Sequence, residues 1–343
     1  GLPMREDALF RLYSMPKPWV SALALCFVEA GTISLLDPVE KYLPEFSGLR
    51  VGREVGEGIV YEPLKRPLTV YDLLRHTAGL TYGVFFRSPV KGLYLEAGVD
   101  RFDLSREVFL ERLAALPLRF QPGETFEYGL ATDLLGHLLE ALAGRSLAEL
   151  LEERLFRPLG MRDSGFQAKD PARLAQPFPK DPETGHSLRL LPVETPPPRY
   201  AGGMGGVGTA ADYLAFLEAL RLGRGALSPT MAGFMVQDHL GSLYPEALKR
   251  GPEYLPGPGY SFGLGVAVRV EPMGYSPGAL GEWTWAGFGG TFFFVDPLQE
   301  ITALYLAQAP NLLSVLEPEK ALHSRLGARL QHAFRTLVYL GLE

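Results

Sequence analysis

The chain has 343 residues, 47% of them hydrophobic and 21% charged, a composition typical of a soluble globular protein. Its formal net charge is −6 and no block of like charge stands out, so we expect no nucleic-acid partner. The single cysteine, Cys26, excludes an internal disulfide, and the six histidines form no HxxxH or HExxH pair, so no metal or other cofactor is expected.

No apolar stretch reaches the roughly 18 residues that a membrane span requires, so we expect no membrane span. The first residues do not resemble a secretory signal, which favours a cytoplasmic location without fixing the compartment. Nothing in the sequence indicates an oligomeric state.

The predicted elements begin with a helix over Pro16–Ala30, which is apolar almost all round and is therefore expected at the centre of the fold. Amphipathic helices follow over Leu104–Leu116 and Thr132–Leu142, and a capping box opens another over Ser146–Phe156. Residues 167–208 are rich in proline and glycine, which predicts a long surface loop of functional or mobile character.

Two more helices are predicted after this loop, over Thr209–Leu222 and from Ser228 onwards. Three segments rich in aromatic or β-branched residues are predicted strands: Phe262–Val270, Thr291–Asp296 and Ile301–Gln308. A last helix is predicted over roughly Lys320–Leu340. Strands in sequence with helices at both ends indicate an α+β fold, in which an antiparallel sheet has helices packed on it.

Ser14 and Lys17 fit the pattern S-x-x-K at the start of the first predicted helix. Positions i and i+3 lie on one helix face, so Lys17 can accept the proton of Ser14. Burial of this helix would favour a neutral amine, and the helix N-terminus would stabilise negative charge on the serine oxygen. A second match, Ser88 with Lys91, opens no apolar helix, so its two side chains are not expected to converge.

Two glycine-rich patterns are not interpreted as functional. Gly274–Gly278 fits the nucleophile elbow G-x-S-x-G, but the residue after its serine is Pro277, which has no N–H for an oxyanion hole. Gly203–Gly208 fits the dinucleotide pattern G-x-G-x-x-G, but it follows prolines instead of a strand, which favours close backbone packing. Taken alone, Tyr128 is interpreted as a packing residue.

Seven segments resemble, in the family's order, the serine β-lactamase and penicillin-binding-protein superfamily, and in particular the family VIII carboxylesterases. They are PMREDALFRLYSMPKPWVSALALCFVEAG, DPVEKYLPEF, LTVYDLLRHTAGL, QPGETFEYGLATDLLGHLLEALAG, LFRPLGMRDSGF, GGMGGVGTAADYLAFLEAL and WAGFGGTFFFVDP. The resemblance covers nearly the whole chain. It implies a β-lactamase/transpeptidase-like α+β fold, with an antiparallel sheet flanked by helices and an inserted helical lobe.

The resemblance also implies the roles of four residues. Ser14 would be the nucleophile and Lys17 its base. Tyr128 would share the proton transfer and protonate the leaving group. The backbone N–H groups of Ser14 and Phe288 would form the oxyanion hole, with Phe288 on the edge strand of the sheet.

The third motif of the family would be formed by Trp285, Ala286 and Gly287, where penicillin-recognising enzymes have K-T-G. Trp285 in place of lysine removes a cation that receives a substrate carboxylate. The second motif ends in Leu130 instead of asparagine, which removes an amide that engages β-lactam side chains. Both changes favour a neutral ester, and Leu130 is expected in the substrate pocket.

The chain is expected to form one two-lobed unit. Residues 1–75 and 201–343 would form an α/β lobe with the nucleophile helix and the sheet, and residues 76–200 a mainly helical lobe. The active site would lie between the lobes, with Phe85 and Phe86 shaping the substrate pocket. Because the family normally has one or two strands and a helix before PMREDALF, we expect the N-terminal strands to be missing here.

We therefore predict a serine carboxylesterase that cleaves small, short-chain esters through an acyl-enzyme on Ser14. Two alternatives stay open. A β-lactamase or D-amino-acid peptidase would use the same site on another small substrate. A penicillin-binding-protein-like sensor or scaffold would keep the fold without catalysis, although the joint presence of Ser14, Lys17 and Tyr128 argues against it.

Overall fold

The centre of the fold is the first long helix, in a computed structural model that describes residues 3–85, 87–181, 183–244, 255–310, 312 and 328–342. This helix, α1, covers Pro16–Glu29, and every side chain from Pro16 to Leu25 is buried. A helix without a polar face is stable only inside a core, because no side of it interacts well with water. The prediction of a central buried helix is confirmed.

The other helices of the described residues are α2 (Val70–Leu74), α3 (Pro89–Ala97), α4 (Arg106–Ala114), α5 (Ala131–Ala143), α6 (Leu147–Leu151), α7 (Ala210–Arg221), α8 (Pro229–Met235) and α9 (Ala328–Leu340). The strands are β1 (Phe10–Tyr13), β2 (Arg50–Val55), β3 (Gly58–Pro63), β4 (Gly206–Gly208), β5 (Tyr260–Phe262), β6 (Ala267–Arg269), β7 (Trp283–Gly287), β8 (Thr291–Asp296) and β9 (Ile301–Tyr305). Short 3₁₀ turns cover Val39–Lys41, Pro44–Gly48, Pro171–Arg173 and Gly241–Leu243, and a π-helical turn, Glu152–Phe156, follows α6. The fold is α+β, as predicted.

Strands β5 to β9 form one antiparallel sheet in sequence order, the arrangement that short connections between neighbouring strands produce. Along β8, successive side chains point to opposite faces of the sheet. Phe293 and Val295 belong to the main core that contains α1, whereas Phe294 packs with Phe334 of α9. Helices therefore pack on both faces of the sheet, with α1 on the inner side.

A second pairing joins the start of the chain to its glycine-rich segment. β1 pairs antiparallel with β4, with Phe10 opposite Gly208. At Gly206 a Cβ would lie 2.2 Å from Cγ of Pro16, the first residue of α1. The expected close backbone packing of residues 203–208 is confirmed, and it places this segment beside the start of α1.

The strand predicted over Phe262–Val270 is wrong as a single element. β5 ends at Phe262 and β6 begins at Ala267, and the two strands pair across a tight turn. Gly265 in this turn has φ +88°, and a Cβ there would lie 2.3 Å from Oγ of Ser21 on α1. The chain therefore reverses its direction where Gly265 packs against the central helix. The apolar composition of the segment does not indicate this turn, because it is equally typical of one continuous strand.

Three of the other six predicted helices are confirmed within two residues at each end, as α4, α5 and α7. Of the helix predicted over Lys320–Leu340, residues 320–327 lie outside the described part. The hairpin of β2 and β3 was not predicted, although Gly56 and Gly58 mark its turn. In the described residues, no helix is long and apolar enough to cross a membrane.

We expect Gly265→Ala to destabilise the fold more than Gly31→Ala, which serves as its matched control. Both glycines have a positive φ, so alanine costs each of them about 1 kcal/mol of backbone strain. No atom lies within 4 Å of a Cβ added at Gly31, whereas at Gly265 the methyl group overlaps Ser21 and adds about 1–3 kcal/mol. Urea unfolding should resolve this difference in unfolding free energy, and equal losses would contradict the steric explanation.

Candidate active site

The residue before Ser14 is held in a strained conformation. Tyr13 ends β1 with φ +50°, a region that costs a residue with a side chain about 1–3 kcal/mol. Two hydrogen bonds hold the turn: the Leu191 N–H donates to Tyr13 Oη at 3.1 Å, and the Tyr213 hydroxyl donates to the Met15 carbonyl at 2.7 Å. Ser14 is thereby placed, half-buried, immediately before the first turn of α1.

Lys17 lies in the first turn of α1 and is completely buried. Its Nζ donates to Ser14 Oγ at 3.0 Å, to Tyr82 Oη at 3.2 Å and to the Gly203 carbonyl at 2.5 Å. Burial lowers the pKa of Lys17 to about 7, while the negative charge of Asp133 acts in the opposite direction. A large fraction of this amine is therefore neutral at neutral pH and able to accept a proton.

Tyr128 lies against the same amine, with Lys17 Nζ 4.6 Å from the centre of its ring. Burial raises the pKa of Tyr128, and a hydrogen bond with Ser14 offsets part of that rise, so the phenol stays protonated. Its ring also packs edge-on against the ring of Trp285, 5.1 Å away between centres. The structure thus brings Ser14, Lys17 and Tyr128 together, as the sequence predicted.

Two residues of this site, Tyr82 and His76, were not predicted. Tyr82 is one of fifteen tyrosines and carries no motif spacing, so only its position after LTVYDLLRHTAGL could have indicated it. His76 packs on Tyr128 with ring centres 4.8 Å apart, and burial lowers its pKa well below the ordinary value, so it is neutral. In the described residues, no group of His, Cys, Asp or Glu side chains could hold a metal ion.

The third motif, residues 285–287 of β7, crosses the strand that leads to the serine. At Gly287 a Cβ would lie 2.3 Å from the carbonyl oxygen of Leu12, so only glycine allows this approach. The next residue, Phe288, packs edge-on against Tyr13, with ring centres 5.7 Å apart. The backbone after Gly287 therefore passes beside the turn that carries the candidate nucleophile.

The prediction that this segment lies on the edge strand is wrong. β7 lies at the centre of the described sheet, between β6 and β8. Its pairing with β6 covers only Trp283 and Thr284, so residues 285–287 pair with β8 alone among the described strands. The shortness of β6 leaves one side of the motif's backbone unpaired, which is the property that an edge strand would have provided.

Of the predicted pocket residues, Phe85 does lie at the site. Its ring centre is 5.7 Å from that of Tyr82 and 6.2 Å from that of Phe288, so it joins the two sides of the site. Phe86 lies outside the described residues. The placement of Leu130 in the pocket is wrong, because its side chain is fully buried in the main core and offers no surface to a substrate.

Part of the long loop over residues 167–208 forms one wall of a cavity of about 380 Å³. The lining includes Leu191 and Pro196 from the loop and Phe102 from the helical part of the chain. Because the Leu191 N–H also binds Tyr13, this wall is joined to the turn that carries Ser14. A cavity of this size falls in the range that small organic ligands occupy.

The second S-x-x-K match has a structural role. Ser88 is the N-cap of α3 and its Oγ accepts the Lys91 N–H at 3.4 Å, so the pattern does open a helix, but one with exposed positions and not an apolar helix like α1. Pro89 occupies the first helical position, where its missing N–H costs nothing. This proline directly after Ser88 was the sequence feature that indicated the start of a helix. Lys91 Nζ lies 3.5 Å from a carboxylate oxygen of Glu127, with which it forms a buried ion pair.

Comparison with known proteins places the chain in a family. The Beta-lactamase family model matches residues 1–323. Protein Rv1367c from Mycobacterium tuberculosis is 34% identical over 330 residues, covering 92% of this chain and 81% of the relative. Esterase EstB from Burkholderia gladioli is 35% identical over 327 residues, covering 89% of this chain and 79% of the relative.

Solved structures agree with these sequence matches. EstCE1, described as a hydrolase with promiscuous acyltransferase activity, superposes with a TM-score of 0.73 at 30% identity, covering 94% of this chain and 86% of its own. The fold is therefore the β-lactamase/transpeptidase-like fold that the sequence predicted. The chain belongs to the β-lactamase family and is a β-lactamase-like serine hydrolase.

Proposed function

We propose that the protein hydrolyses small, neutral carboxylic esters through an acyl-enzyme formed on Ser14. The observation that carries this proposal is the 3.0 Å contact between Ser14 Oγ and the Nζ of Lys17, an amine whose pKa burial lowers to about 7. A serine hydroxyl is a weak nucleophile unless a neighbouring base takes its proton. Lys17 is such a base, and its other two hydrogen bonds are to the Tyr82 hydroxyl and the Gly203 carbonyl.

The reaction begins with proton transfer from Ser14 to neutral Lys17, while Oγ attacks the carbonyl carbon of the ester. The carbonyl electron pair moves to its oxygen, where the backbone N–H groups of Ser14 and Phe288 stabilise the charge. As the C–O bond to the alcohol breaks, Tyr128 donates its proton to the departing oxygen and regains one from Lys17. Water then hydrolyses the acyl-enzyme by the reverse sequence and releases the acid.

The proposed site draws residues from both parts of the predicted two-lobed unit. Residues 1–75 and 201–343 contribute Ser14 and Lys17, and residues 76–200 contribute Tyr128. The contact between Lys17 and Tyr128 therefore also joins the proposed lobes. A substrate between them would meet Phe85, whose ring contacts aromatic neighbours from both.

The aromatic surroundings of Trp285 support a neutral substrate. Its ring packs against Tyr128 at 5.1 Å and Phe262 at 5.2 Å, in the motif position where penicillin-recognising enzymes carry a lysine. An aromatic surface provides no ion pair for a substrate carboxylate, whereas it packs well on an uncharged ester. The descriptions of EstB as an esterase and of EstCE1 as a hydrolase are consistent with this choice.

We expect Ser14→Ala to lower kcat/KM for nitrophenyl butyrate by at least about 1,000-fold, because the acyl-enzyme cannot form. Ser88→Ala is the matched control, since it removes the serine of the second S-x-x-K pattern. That change should cost about 1 kcal/mol of stability through the lost helix cap and leave turnover within about twofold. A Ser14→Ala variant with more than about a tenth of normal activity would refute the assignment.

The pH dependence should report the protonation of Lys17. The amine acts as a base only when neutral, so kcat/KM should fall about tenfold per pH unit below a pKa of about 7 and reach a plateau above it. Lys17→Arg should lose activity at every pH, because a guanidinium stays charged. A profile that is flat between about pH 5 and 9 would contradict the role of Lys17.

A comparison of substrates should separate the esterase from a β-lactamase. We expect kcat/KM for nitrophenyl butyrate to exceed that for a chromogenic, carboxylate-bearing cephalosporin by at least about tenfold, the worth of roughly one charge-assisted hydrogen bond. Both are measured on the same enzyme batch, with active sites counted by fluorophosphonate labelling. Equal or inverted values would contradict the neutral-ester proposal while leaving the nucleophile in place.

A further inference from the structure

An ion pair excluded from solvent lies close to Lys17. Arg199 Nη1 is 3.2 Å from Asp133 Oδ1, and neither side chain has any exposed surface. Asp133 lies in the first turn of α5, and Arg199 lies near the end of the loop over residues 167–208. Burying two charges costs several kcal/mol each, and apolar residues in their place often stabilise a fold equally well. Stability alone therefore does not account for this pair.

The Asp133 carboxylate lies against the turn that binds Lys17. At Gly203 a Cβ would be 2.2 Å from Asp133 Oδ2, so a glycine is needed for the chain to pass this oxygen. The turn is closed by the Ala201 carbonyl, which accepts the Gly205 N–H at 2.8 Å. The carbonyl of Gly203 accepts the Lys17 amine at 2.5 Å, so Asp133 and the amine lie on either side of one residue.

The groups around Lys17 come from several segments. They are the hydroxyls of Ser14 and Tyr82, the ring of Tyr128, the Gly203 carbonyl, the neutral ring of His76 and the carboxylate of Asp133. Asp133 supplies the negative charge that raises the pKa of Lys17 against the effect of burial. Arg199, paired with Asp133, places a positive charge behind that carboxylate and offsets part of its effect.

We propose that Asp133 and Arg199 form a positioning pair for Lys17. Asp133 holds the Gly203 carbonyl against the amine, and Arg199 limits the negative charge that Asp133 presents to it. The inference rests on the proposed function, in which Lys17 is the base. Without Arg199 the amine would stay protonated to higher pH, and without Asp133 it would lose its proton more readily and its carbonyl partner would be less firmly held.

The direct test is the pKa of Lys17, measured from the ¹³Cε signals of protein labelled on its eight lysines, with Lys17→Ala identifying the signal. We expect Asp133→Asn to lower this pKa by about 0.5–1 unit and Arg199→Met to raise it by a smaller amount. Arg199→Lys keeps the charge and should return a value near that of the unmodified protein. Shifts of the same sign in Asp133→Asn and Arg199→Met, or shifts below about 0.2 unit in both, would overturn the proposal.

Arg199→Met leaves a carboxylate buried alone, which costs about 3–5 kcal/mol and threatens folding. The double variant Asp133→Asn/Arg199→Met removes both charges and avoids that cost. Its Lys17 pKa should lie between those of the unmodified protein and of Asp133→Asn, because the effect of the nearer carboxylate exceeds that of the guanidinium. If the Lys17 pKa in the double variant lies below that in Asp133→Asn, the proposal is overturned. This comparison does not require the Arg199→Met protein to fold.

Kinetics supply the second measurement. In each variant, the apparent pKa of the pH profile of kcat/KM for nitrophenyl butyrate should shift by the same amount as the NMR pKa of Lys17. A purely structural pair would lower kcat and leave the apparent pKa of the profile unchanged. Asp100 also has a pKa near 7, because burial raises it, so the NMR signal decides which group moves. If the pKa of Lys17 shifts as expected but neither the unmodified protein nor any variant hydrolyses the ester, the proposed function is refuted. The effect of the pair on the pKa of Lys17 would then still stand.

Discussion

The geometry of this site depends on keeping the Lys17 amine out of water. A lysine in solution is protonated at neutral pH, whereas complete burial brings the pKa of Lys17 to about 7. That burial follows from the sequence of α1, which has no polar face and therefore occupies the core from its first turn. The same apolar pattern that places the helix in the core therefore also lowers the pKa of its lysine, as the proposed role of a base requires.

A buried amine needs hydrogen-bond partners, and these come from distant parts of the chain. Two partners of Lys17, Tyr82 and Gly203, lie 65 and 186 residues away in sequence. Only the completed tertiary structure provides them, because no local segment contains more than one. The strained Tyr13 depends on the same long-range assembly, since its turn is held by hydrogen bonds from Leu191 and Tyr213. The site therefore forms together with the fold.

This dependence explains which features the sequence could predict. α1, the S-x-x-K pair and the strand after the third motif follow from local periodicity and spacing, and the structure has them where they were expected. Tyr82 has no local signature, because its importance arises from a contact with α1. The turn between β5 and β6 escaped prediction for a similar reason, since Gly265 packs against Ser21 of α1, a contact that its own segment does not indicate.

The two S-x-x-K sequences in this chain show how the proposed catalytic pair differs from a structural one. Both precede a proline-started helix, and both lysines are buried. Ser88 is the N-cap of α3, and its hydroxyl is used in capping, whereas the N-cap of α1 is Met15, one residue after Ser14, which leaves the Ser14 hydroxyl facing Lys17. Lys91 then meets the Glu127 carboxylate. Two differences therefore separate two sites with the same S-x-x-K pattern. One is the position of the serine relative to the N-cap of its helix, and the other is the set of groups around the lysine amine.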